Sequence, residues 1–143
     1  MRCLARNERG SAAIEAAVGI PAFVLFLGLI LYGGRVATTH QGLEAVAADA
    51  ARVASLDRSG PQAQHDARLA ATADAANQHI PCQRLTVTVD TAGFTTPVGR
   101  PATVEVTVRC QLDLADLTVP GIPGSRVLSA SVSSPLDTWR QRS

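Results

Sequence analysis

The sequence has few aromatic residues: 3% of its 143 positions, with one Trp, one Tyr and three Phe. So few rings argue against a stacking platform for bases and against an aromatic-lined ligand pocket. Charge of either sign is also sparse. Charged residues make up 17% of the chain, and 13 Lys+Arg against 12 Asp+Glu leave a net +1. No global field therefore draws it toward nucleic acid or acidic substrates. Motifs that carry chemistry are missing as well. His40, His65 and His79 are scattered, with no second His four residues on, which does not make a metal triad. There is no Gly-rich phosphate loop, and no nucleophile motif frames a Ser-His-Asp set. Asp113 and Asp116 read as solvated carboxylates rather than paired acids. The expectation is a chain with no catalytic residues, no metal, no cofactor and no nucleic-acid partner.

What is present is a long apolar run. From Ala16 to Gly34 no residue is charged, and Arg35 closes the stretch. Its length is close to the roughly 20 residues that cross a hydrocarbon core of about 30 Å. A core helix so uniformly apolar would be hard to cover in so small a protein. A cleaved secretory signal is the rival reading, but its apolar region would be shorter and end at a small-residue cleavage site. Residues 1–10 carry Arg2, Arg6 and Arg9 against Glu8, so the positive-inside tendency keeps them cytoplasmic and exports the rest. Pro21 removes one helical hydrogen bond and should kink the span. Glu15 lies at its edge. A carboxylate costs roughly 2.5–3.5 kcal/mol at a bilayer centre and less near the interface, so Glu15 either marks the interface or seeks a cationic partner.

The segment Arg9-Gly10-Ser11-Ala12-Ala13-Ile14-Glu15 followed by this span resembles the class III signal sequence of type IV pilins. It more closely resembles the TadE-like minor pilins of the tight-adherence (Flp) pilus system. There a basic leader ends in Gly, a small residue often follows, and a Glu stands five places after the Gly. A Pro within the span and a closing Gly-Arg pair are common, as Pro21 and Gly34-Arg35 are here. The resemblance covers about 45 residues and implies cleavage between Gly10 and Ser11 by a membrane prepilin peptidase. Ser11 would become the amino terminus and Glu15 the fifth mature residue, pairing with the terminal ammonium of a neighbouring subunit. It implies other pilin and TadE-like subunits and a Tad inner-membrane assembly platform as partners, besides membrane lipid. Leu128 to Val132 resembles the closing strand of many such proteins, whereas the tail through Pro135, Trp139 and Arg140 does not map onto the family.

Beyond Arg35 the pattern becomes one-sided. Val36, Leu43, Val46 or Ala47, Ala50, Val53 and Ala54 recur at helical spacing, while Thr39, Gln41, Glu44, Asp49 and Arg52 fall on the polar side. One helix is expected from about Ser11 to Ser55. Gly60-Pro61 breaks it, and a second, Ala-rich helix is expected over 64–78, ended by Ile80-Pro81. Strict alternation then predicts strands over 84–90, 103–114 and 126–134. The fold class is α+β: a long helix, transmembrane then amphipathic, a second short helix and a small three-stranded antiparallel sheet. The expected parts are a leader (1–10), a transmembrane helix (11–35), an amphipathic extension (36–58) and an exported domain (59–143).

Cys82 and Cys110 form one pair in the part expected outside the membrane, which reads as a disulfide; two buried thiols are the alternative. The hairpin brings them close. Parity, however, puts Cys82 on the polar face with Arg84 and Thr86, so a bridge requires a pre-strand turn or a bulge. Three function classes fit: a structural pilus subunit, a membrane-anchored exported binding domain with no processing, and a small membrane enzyme, which lacks a constellation.

Overall fold

A computed structural model describes residues 9–113 and 124–141, with side chains from Ile14 onward. Arg2, Cys3 and Arg6 of the leader, and Leu114 and Asp116, lie outside the described residues. The elements are α1 (Arg9–Leu56), α2 (Gly60–Asn77), β1 (Cys82–Asp90), β2 (Ala102–Asp113) and β3 (Ser125–Leu136), with a short 3-10 turn over Ala92–Thr95. This is the α+β arrangement that the patterning predicts.

α1 has 48 residues, about 72 Å at roughly 1.5 Å per residue. Its lower half, from Ile14 to Leu31, is exposed on every side, with Ile14 and Val18 each 70% accessible. The helix continues through Pro21. The upper half buries a stripe of Leu43, Val46, Ala47, Ala50, Ala51 and Ala54, all at 0% exposure, while Tyr32 and Val36 pack against the lower margin of the core. Thr39 corrects the sequence reading: it is buried, not on the polar side. It stands three residues after Val36 and four before Leu43, so the helical period places it in the stripe whatever its polarity.

α2 starts four residues earlier than expected, because Gly60-Pro61 opens it instead of only ending α1. Pro61 occupies the first turn, where a missing N–H costs nothing and the fixed φ favours a helix. Its buried face is Gly60, Ala63, Ala67, Ala71 and Ala75, nearly one residue per four. Methyl groups at that spacing let the backbones of α1 and α2 come close. The helix ends in a Schellman motif. His79 adopts φ 52 and donates to Ala76 O at 3.1 Å, while Ile80 N–H reaches Ala75 O at 3.1 Å. Ile80 then packs beside Gly42, where its Cδ1 would stand 3.2 Å from an added Cβ.

The sheet order is β1-β2-β3, antiparallel throughout. One face, with Val89, Val104, Val106, Val108, Cys110, Leu112, Leu128, Ala130 and Leu136, is buried against the two helices. The other carries Thr, Ser and charged residues. β3 runs two residues past its expected end; Pro135 sits late in an edge strand, where a lost N–H is tolerated.

Candidate functional site

The sequence singles out the amino-terminal segment first. Gly10 and Ser11 lie in the opening turns of α1. Glu15, little more than a turn later, is exposed and makes no ion pair or side-chain hydrogen bond among the described residues. The most apolar 18-residue window of this helix is long and apolar enough to cross a membrane, and none of it is buried by the rest of the chain. Nothing within the described chain neutralises Glu15 or covers the apolar surface around it.

The cysteines are brought together. Cys82 and Cys110 form a disulfide with Cα atoms 5.4 Å apart. The parity conflict is resolved by a bulge. Cys82 pairs with Leu112 and Arg84 with Gln111, so Gln83 is an extra residue that turns Cys82 onto the apolar face. Gln83 Nε2 then donates to Asp113 Oδ2 at 2.7 Å. The bridge ties the start of β1 to β2 near the helix pair.

The histidines do not converge. His40 Nδ1 lies 3.4 Å from Glu44, His65 Nδ1 lies 2.8 Å from Asp66, and His79 serves the α2 terminus. Among the described residues no three His, Cys, Asp or Glu side chains are placed to hold a metal ion. Two carboxylates are perturbed. Burial pushes Asp74 above the ordinary aspartate range, and a hydrogen bond and repulsion from Asp49 across the α1–α2 seam add to it. Burial and the charge of Asp66 raise Asp57, partly offset by Arg140. Hydrophobic periodicity shows neither pair, because each joins residues of two elements whose relative rotation only packing sets.

The tail that resisted assignment closes the far end of the domain. Asp137 Oδ1 accepts the Trp139 N–H at 3.0 Å, Thr138 O accepts the Gly99 N–H at 2.8 Å, and Arg140 donates to Leu56 O at the end of α1. An open cleft of about 470 Å³ between Ser55, Leu56, Pro135 and Thr138 lies there, and the Arg140 that lines it is already engaged.

The family model described as TadE-like protein matches residues 10–52, fewer than a third of the chain. The match begins at Gly10, takes in the exposed apolar half of α1 and ends within its buried stripe. No curated protein matches the chain, and no solved structure does. On these residues the chain carries a TadE-like segment, which associates it with Tad-pilus proteins.

Proposed function

We propose that the chain is a minor pilin or pseudopilin of a Tad (Flp) type IV pilus, a structural subunit and not an enzyme. The observation that carries this reading is one continuous helix, matched by the TadE-like model, whose first half is wholly exposed and apolar while its second half is the spine of a folded domain. A helix of that kind anchors the subunit in the membrane before assembly and packs against other subunits afterwards. The basic leader stays in the cytoplasm and the domain is exported. A prepilin peptidase cuts between Gly10 and Ser11. Glu15 then meets the new terminal ammonium of an adjacent subunit, since opposite charges in a low-dielectric layer attract strongly and neither is stable unpaired. Partners are the peptidase, other pilins and TadE-like subunits, and the inner-membrane platform.

Amino-terminal sequencing of the membrane-purified protein tests processing. Expressed with the peptidase, the chain should begin at Ser11, and a terminus still at Met1 would sink the reading. Glu15→Gln should abolish incorporation into filaments while leaving cleavage intact. The alternative, an anchored binding domain without processing, expects neither effect.

A further inference from the structure

The open face of the sheet has a charge order that pilus assembly does not call upon. Strand register places Arg84 opposite Gln111 and Arg109 opposite Thr86, so the two arginines are diagonal neighbours. With Thr86, Gln111 and Val127 they line a shallow cleft of about 140 Å³. Neither arginine forms an ion pair among the described residues. At the other end of the same face Asp90 stands directly opposite Glu105. The face thus carries two arginines at one end, with the Asp113 carboxylate two residues beyond Gln111 and bonded by Gln83, and two carboxylates at the other; its first end is net cationic and its second anionic.

The fold decides which end is near the membrane. The end of β3 meets the end of α1, where Arg140 reaches Leu56 O. β3 therefore starts at the opposite, lower end, together with the end of β2 and the start of β1. Ile80, just before β1, packs beside Gly42. From Arg35, which closes the apolar run, to Gly42 is about 10 Å of helix. The cationic end is thus the lower one. Gly33 and Gly34 end the apolar run just below Arg35, with nothing within 4 Å of a Cβ added at either. A helix bends at least cost at such a pair, which lets the domain lean.

We propose that the cleft between Arg84 and Arg109 binds the phosphate of anionic phospholipids in the membrane that α1 crosses, so that the domain rests on its basic end before extraction into a filament. The proposal rests on the reading of lower α1 as a membrane span. The sequence has no Lys, and two guanidinium forks are suited to phosphate oxygens. The Thr86 hydroxyl and the Gln111 amide add donors. Val127, 64% exposed, offers an apolar contact at the interface. An anionic surface attracts the near end and repels the Asp90–Glu105 end, which gives the docked domain one orientation. Juxtamembrane arginines gain from such a surface within about one Debye length.

Trp139 is the only Trp and lies at the far end, 81% exposed. In an upright domain it stands about 30 Å above Arg35, and leaning lowers it. Full-length protein in nanodiscs carrying a dansyl-headgroup acceptor lipid reports this height by energy transfer. Transfer should be about twofold greater in an equal mixture of phosphatidylcholine and phosphatidylglycerol than in phosphatidylcholine alone. The difference should vanish at high salt and in Arg84→Gln/Arg109→Gln, and persist in Arg100→Gln. Equal transfer in both discs, or a difference that survives the double substitution, overturns the headgroup site. So does a thermal-midpoint rise with inorganic phosphate, lost in the double variant, when the lipid difference is absent; the cleft is then a free-phosphate site. A chain that enters neither disc overturns the membrane reading and this proposal with it, which separates the two failures.

Discussion

The two halves of α1 share one backbone and differ in what surrounds them. Between Ile14 and Leu31 apolar side chains point in every direction and none is covered by the chain. Between Val36 and Ala54 they shrink to a stripe and are covered by α2 and the sheet. Leu27 and Leu43 show the difference at one residue type: 45% and 0% exposed. A helix apolar all round needs a solvent or neighbours that are apolar all round, whereas a striped helix needs only one partner surface. The lower half therefore depends on lipid or on other subunits, and the upper half on its own domain.

That contrast can be broken by substitution. Leu43→Ala should lower the stability of the domain by about 2–5 kcal/mol, while Leu27→Ala should move it by less than about 0.5 kcal/mol; thermal and denaturant unfolding of the detergent-solubilised protein measures both. Comparable losses would mean that the lower half also packs on the domain. Replacing both bridged cysteines, Cys82→Ser/Cys110→Ser, opens a link across 28 residues and should cost about 2–4 kcal/mol, with no change in membrane insertion. Ala71→Leu forces a larger side chain into the fully buried α1–α2 seam and should cost about 1–3 kcal/mol. Leu69→Ala, on the exposed side of α2, should be close to neutral in the same assay.

The smallest expected effect is electrostatic. The carboxyl of Asp74 is raised in the folded domain by burial and by Asp49, so the folded state holds that proton more tightly than the unfolded chain does. Asp74 should then contribute its full stabilisation below the ordinary aspartate range and lose it as pH rises from that range through the raised value. Asp74→Asn should flatten this part of the pH–stability curve. A wild-type curve that instead rises over the same interval would remove the Asp49–Asp74 contact from the account.

Much of this was legible beforehand, for identifiable reasons. Strict alternation over 84–90 and 103–114 and the Ala-rich composition of 64–78 are local signals, and they locate strands and a helix. The cysteine pairing was legible too, together with the condition it required, because parity alone exposes the need for a pre-strand turn or a bulge; the extra Gln83 supplies the bulge. Other features were not. Thr39 looked polar and is buried. His79 takes a left-handed conformation that Gly usually supplies, and is held there by the chain-reversing hydrogen bonds after Asn77. The tail from Asp137 to Arg140 has no pattern of its own, since its partners, Gly99 and Leu56, are distant in sequence.

The amino-acid sequence by itself determined that a helix long and apolar enough for a bilayer precedes a small domain of two Ala-rich helices and three alternating strands. Hydropathy and period are properties of neighbouring residues, and elementary geometry turns them into faces. Only the tertiary structure decided which groups meet across elements: Asp49 with Asp74, Arg84 with Arg109 and the tail with the end of α1. Those meetings depend on strand register and on the rotation of one helix against another. Both are settled by the collective packing of the core, which no single stretch of sequence contains.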